Sequence, residues 1–67
     1  MGMSDERLLE VLEHVALTES IPDMTIEEER EVLGKHRLVW DWGRPYLQHL
    51  YWLTEEGESV FKKLKGE

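Results

Sequence analysis

The stretch of sequence that decides the fold is WDWGRPYLQHLYWL, residues 40–53. It contains all three tryptophans and both tyrosines of the 67-residue chain, and Gly43-Arg44-Pro45 interrupts it near its start. Aromatic and branched apolar residues on either side of a Gly/Pro break are typical of a β-hairpin. We therefore predict a strand over residues 37–42, a turn at residues 43–45 and a second strand over residues 46–53.

The predicted second strand carries too many apolar side chains for one buried face. Because strand side chains alternate, Tyr46, Leu50 and Trp52 share one face and the odd-numbered residues share the other. One face can cover the chain's own helices, and the other needs a further surface, since exposed apolar patches mark association. We predict core plus dimer interface, with a partner-protein surface or a nucleic-acid stacking platform as alternatives. The predicted interface residues are Trp40, Trp42, Tyr46, Leu50 and Trp52.

Two helices are predicted before the hairpin. Ser4 is the expected N-cap of the first, which carries apolar residues at helical spacing and ends near Thr18. Thr25 followed three residues later by Glu28 has the form of a capping box. This pattern predicts a second, largely solvated helix over residues 25–33, with Gly34 at its C-terminal end.

A third helix is predicted after the hairpin. Thr54 is its expected cap, and Gly57, Val60, Phe61 and Leu64 recur at the spacing of a buried stripe. The chain is therefore expected to form one α+β domain over residues 1–67, with the order α-α-β-β-α and an antiparallel hairpin.

The net charge of −7 is distributed unevenly. Residues 1–33 carry ten acids against two bases, whereas residues 34–67 carry five acids against six bases. A polyanionic partner needs local positive potential, so it would meet the C-terminal half of the chain.

The residue inventory argues against metal sites and catalysis. The chain has no cysteine, and its three histidines do not show the spacing of a metal site. No serine or threonine has a base and an orienting acid nearby in the sequence, and no glycine-rich phosphate loop occurs. We therefore expect a protein that is not an enzyme and holds neither a cofactor nor a metal.

Composition also bears on environment and assembly. No apolar run approaches the length of a membrane span and no signal peptide is visible, so we expect a cytoplasmic protein. The chain has no asparagine and twelve glutamates, which resembles the composition of hyperthermophile proteins. A core of this size supplies only about 3–5 kcal/mol of net stability. Without disulfides or metal, self-association is the remaining stabilising device, and we predict a homodimer that forms through the aromatic hairpin or through the first helix.

The end of the hairpin resembles a winged helix-turn-helix domain of the transcriptional regulator type. In that family a wing strand ending in Tyr-x-Leu-Thr-x-x-Gly leads into a C-terminal helix. Here the pattern is Tyr51-x-Leu53-Thr54-x-x-Gly57, and the resemblance covers residues 37–65. It implies a winged-helix-like fold in which Arg44 lies at or near the wing tip.

The resemblance implies a DNA-binding transcriptional regulator of reduced size that binds duplex DNA as a homodimer. The chain departs from the family because only residues 19–36 lie between the first helix and the hairpin, and the helix predicted there carries four glutamates. The alternative is therefore a non-catalytic protein-interaction or dimerisation module that does not bind DNA. The residues expected to contact phosphates in the first case are Lys35, Arg37, Arg44, Lys62 and Lys63.

Overall fold

The computed structural model describes residues 3–34, 37–41 and 50–66. Within these ranges the elements are α1 (Asp5–Thr18), α2 (Ile26–Val32), β1 (Val39–Asp41), β2 (Tyr51–Leu53) and α3 (Glu55–Lys65). The α+β class and the order α-α-β-β-α are those predicted from the sequence.

All three helices begin at the predicted caps. The Oγ of Ser4 accepts a hydrogen bond from the amide of Arg7, and Thr25 and Glu28 form a complete capping box. Thr54 caps α3 in the same way, since its Oγ1 accepts from the amide of Gly57 at 3.0 Å. These bonds satisfy amide groups that would otherwise be unpaired in the first turn of each helix.

The hairpin strands pair antiparallel over three residues each. The register is Val39 with Leu53, Trp40 with Trp52, and Asp41 with Tyr51. The first strand is shorter than predicted, because residues 37 and 38 form a bend rather than paired strand. The predicted turn at residues 43–45 and the predicted strand residues 42 and 46–49 lie outside the described residues.

The core lies between the helices α1, α2 and α3 and one face of the hairpin. Its fully buried side chains are Val11, Leu12, Val15, Val32 and Val39. Tyr51 and Leu53 pack against this cluster from β2, as do Val60, Phe61 and Leu64 from α3. The odd-numbered residues of the hairpin therefore face inward, and this choice decides which aromatic residues face outward.

The backbone of Leu38 joins three elements. Its amide donates to the carbonyl oxygen of Val32 in α2 at 3.1 Å, and its own carbonyl oxygen accepts from the amide of Thr54 at 3.0 Å. The same carbonyl oxygen lies against Gly57 in the first turn of α3, where an added Cβ would sit 1.9 Å from it. Gly57 therefore permits a close approach of α3 to the backbone just before β1.

We expect the substitution Gly57→Ala to destabilise the protein. Alanine favours the helix by about 1 kcal/mol over glycine, but its methyl group cannot occupy the space held by the Leu38 carbonyl. Shifting α3 away should lower the free energy of unfolding by about 2 kcal/mol net. Urea unfolding followed by circular dichroism measures this value. Ser59→Ala, at an exposed position of the same helix, is the matched control, and equal stability of the two variants would contradict the expectation.

Candidate functional site

The outward face of the hairpin presents a pair of tryptophans. Trp40 and Trp52 are directly opposite each other in the register, and neither belongs to the side chains packed against the core. Trp52 remains 40% exposed, and Trp40 is half-buried. Of the other predicted interface residues, Leu50 is half-buried before β2, whereas Trp42 and Tyr46 lie outside the described residues. The described part of the chain thus leaves part of the predicted interface in water.

Glu19 attaches this face to the end of α1. It is the C-cap residue of α1, with a φ of 56°, and its amide donates to the carbonyl oxygen of Val15. Its carboxylate accepts a hydrogen bond of 2.6 Å from the indole nitrogen of Trp52, and its carbonyl oxygen accepts from the amide of Tyr51. This left-handed conformation disfavours glutamate by about 1 kcal/mol relative to glycine. The bond to Trp52 is a contact that glycine could not supply.

Glu19 is not among the residues predicted from the sequence. Its partner Trp52 is 33 residues away, and a glutamate after a helix carries no pattern that predicts a left-handed cap. The only local signal is that Glu19 directly follows the predicted end of the first helix at Thr18.

An open cleft of about 350 Å³ lies beside Trp52. Its walls combine apolar groups with two carboxylates, and its lining residues are Val15, Ala16, Glu19, Trp52, Leu53 and Glu58. A tryptophan face and nearby carboxylates both attract cations. The arrangement therefore suits a long basic side chain, whose methylene stem packs on apolar surface while its charge meets the acids.

Exposed apolar side chains also occur away from the hairpin. Leu17, one residue beyond Ala16 on α1, is 77% exposed, and Ile26 at the start of α2 is 66% exposed. Leu17 follows a residue that lines the cleft, whereas Ile26 is on a different element. Leu17 is thus an exposed apolar side chain close to the cleft, and Ile26 is an exposed apolar side chain away from it.

The helix α2 lies between α1 and β1, which is the part of the chain where the resemblance would require a recognition helix. Between α1 and β1, it is the one helix in the described ranges 19–34 and 37–38. It has seven residues, of which four are glutamates and one is Arg30. The separate second and third helices of a helix-turn-helix are thus not both found in these ranges.

Arg7 neutralises part of the acidic surface of α2. Its guanidinium group contacts the carboxylate of Glu28 at 3.0 Å and that of Glu10 at 2.5 Å, and it donates to the carbonyl oxygen of Asp23 at 2.6 Å. The hydrogen bonds from Arg7, followed by the capping bond with Thr25, hold the pKa of Glu28 below its ordinary value. The hydrogen bonds to Glu28 and Glu10 raise the pKa of Arg7 above its ordinary value. The contacts join α2 to α1.

The predicted phosphate contacts that lie within the described residues do not form one patch. Arg37 is exposed, its Nη1 donates to the carbonyl oxygen of Glu31 at 3.3 Å, and its own carbonyl accepts from the side chain of Thr54 at the start of α3. Lys62 and Lys63 are exposed in the last turn of α3. At 1.5 Å per residue, about 12 Å of helix separates Thr54 from these lysines. The predicted contacts Lys35 and Arg44 lie outside the described residues.

Comparisons with known proteins do not assign the chain to a family. No protein-family model matches it, and no curated protein or solved structure matches it. The winged-helix resemblance therefore rests on the residue pattern alone. In the described part of the chain, no helix combines the length and the apolar character required to cross a membrane.

We expect the bond between Arg7 and Glu28 to make stability depend on pH in the acid range. The folded-state pKa of Glu28 is lowered from 4.5, so its stabilising contribution is complete above that pH and is lost as the pH falls through the lowered value. Glu28→Gln keeps the shape of the side chain and removes this titration. The stability difference between wild type and variant should therefore be constant near neutral pH and shrink below about pH 4.5.

Thermal unfolding across this pH range measures the difference. Glu27→Gln is the matched control, because Glu27 is the preceding, exposed glutamate of α2. The stability difference between Glu27→Gln and wild type should not change over the pH range in which Glu28 titrates. A Glu28→Gln difference that stayed constant into the acid range would show that the bond to Arg7 contributes nothing to stability.

Proposed function

We propose that this chain is a non-catalytic, winged-helix-like association module that works as a homodimer through the outward face of its hairpin. The observation that carries the proposal is Trp52, which lies opposite the core, remains 40% exposed and is oriented by the carboxylate of Glu19. A large aromatic side chain held in place but left partly in water is typical of an interface anchor.

Burial of the exposed part of Trp52 would favour association but is not sufficient for it. Covering its exposed part would remove about 100 Å² from water, which is worth about 2–3 kcal/mol for each copy. This is comparable to the net stability of about 3–5 kcal/mol available to so small a domain. Bringing two proteins together costs about 4–15 kcal/mol, so further contacts must accompany the two tryptophans.

The charge of α2 favours association over DNA binding. At the position of a recognition helix it would bring four carboxylates and one guanidinium group toward the phosphates. The guanidinium group of Arg7 neutralises the charge of Glu28, but Arg7 belongs to α1 and its contact lies between the two helices. Repulsion from the remaining acids would oppose the docking that winged-helix regulators use.

Duplex DNA is the second candidate partner, and the junction between β2 and α3 favours it. Leu53 packs against the core, Thr54 caps the helix and Gly57 allows the close approach, so these three residues of the regulator-type pattern each have a structural role in this chain. Under this proposal the phosphate contacts would come from Lys35, Arg37, Arg44, Lys62 and Lys63.

We expect Trp52→Thr to weaken or abolish the homodimer while the fold persists. Threonine keeps the β-propensity of the position and removes the exposed indole. Sedimentation equilibrium should show a dimer for wild type and a shift toward monomer for the variant, with circular dichroism reporting the fold. Ile26→Thr is the control, because Ile26 is more exposed but lies on α2. A wild-type monomer, or a dimer unaffected by Trp52→Thr, would remove the hairpin from the interface.

Random duplex DNA tests the second candidate. If the chain binds DNA through about three to five phosphate contacts, the logarithm of the binding constant should fall with the logarithm of salt concentration at a slope of about −3 to −5. Arg37→Glu should then reduce binding strongly. Arg30→Glu, at an exposed base of α2 outside the predicted contact set, should change it less. No binding at low salt would exclude the DNA proposal.

A further inference from the structure

We infer that α3 pairs antiparallel with α3 of a second copy, so that Lys62 of each copy enters the cleft beside Trp52 of the other. This inference rests on the proposed homodimer and names the contact that would accompany the tryptophans.

The exposed face of α3 carries a stripe of polar side chains whose charge changes from negative to positive along the helix. Glu55, Glu58, Ser59 and Lys62 recur at i, i+3, i+4 and i+7 and are all exposed, so they share one side of the helix. The stripe is opposite the apolar residues that α3 packs against the core. Its acids lie toward the N-terminus of the helix and its lysine toward the C-terminus.

Such a stripe is complementary to itself in one orientation only. A parallel copy would place like charges against each other. An antiparallel copy, related by a two-fold axis at the level of Val60, places Glu58 against the second copy's lysine at position 62 and repeats the same contact on the other side. Because Glu58 and Lys62 are each two residues from that level, about 3 Å along the axis, the two contacts are equivalent by symmetry.

The cleft provides the place where the incoming lysine would lie. Glu58 lines it together with Glu19 and Trp52, so the charge of Lys62 from the second copy would meet two carboxylates and the face of an indole. Its stem would cover Ala16 and Leu53. This contact adds charge complementarity and apolar burial in the cleft beside Trp52, whose own burial is not sufficient for association.

Charge complementarity also selects the occupant. The cleft is acidic and needs a basic, amphipathic partner, and Lys62 and Lys63 form an exposed basic turn of the same chain. Within one helix, Glu58 and Lys62 are spaced for an ion pair. In the described part of the chain no such pair joins them, so both charges are available to a second copy.

A charge-exchange experiment tests the contact. Glu58→Lys should place lysine against lysine twice in the dimer, and Lys62→Glu should place glutamate against glutamate twice. Each single variant should weaken dimerisation at least about tenfold, because two attractions become two repulsions. The double variant Glu58→Lys/Lys62→Glu exchanges the charges and should dimerise within about threefold of wild type. Circular dichroism of each variant confirms that the monomer is folded.

Mixing the two single variants provides the sharper result. One copy then carries lysine at both positions and the other carries glutamate at both, so every cross-contact is complementary. Native mass spectrometry of an isotope-labelled mixture should show the heterodimer in preference to either homodimer. An ion pair within one helix predicts no such preference, because neither copy can form it.

The other outcomes overturn the inference in distinguishable ways. A wild-type dimer that tolerates both single variants would remove α3 from the interface and leave the proposed homodimer standing. Single variants that stay monomeric when mixed would show that the charges act within each copy. A monomeric wild-type chain would overturn both proposals. If that monomer bound a lysine-rich peptide through Trp52, the cleft would belong to a basic partner protein instead.

Discussion

The close contact between the carbonyl oxygen of Leu38 and Gly57 determines how the helices and the hairpin meet. That oxygen accepts a hydrogen bond from Thr54 and lies where a side chain on Gly57 would be, so α3 must begin against the backbone just before β1. Through its amide, Leu38 also joins α2. A small domain has few buried side chains with which to orient its elements, and a backbone contact of this kind leaves less freedom than side-chain packing does.

Placing α3 in this way also decides which face of the hairpin is covered. Val39 is fully buried and Leu53 packs against the core, so the alternation of a strand turns Trp40 and Trp52 outward. The exposed tryptophan is therefore a consequence of the packing beneath it. Glu19 then holds the indole at a defined place beside the cleft, which is why we regard this surface as an anchor rather than as incidental exposure.

The charge distribution favours one of the two proposed functions over the other. The acids of the N-terminal half include the helix that would have to approach DNA, and Arg7 binds one of them between α1 and α2. Of the predicted phosphate contacts that the structure describes, Arg37 lies near the start of α3, whereas Lys62 and Lys63 lie in its last turn. Phosphate binding needs several cations that act together. A chain with this distribution is better suited to meeting a surface that offers both charge signs, as a second copy does.

The sequence by itself determined the features that depend on neighbours within about four residues. Ser4, Thr25 and Thr54 start helices because their side chains reach amides three residues away, and the strand pattern follows from side-chain alternation. The tertiary structure alone decided the covered face of the hairpin, the contact between Glu19 and Trp52, the bond between Arg7 and Glu28, and the separation of Arg37 from the lysines of α3. Each of these features depends on contacts between residues that are at least 17 positions apart in the chain. Their formation depends on how all the elements pack together, which no local pattern of residue types specifies.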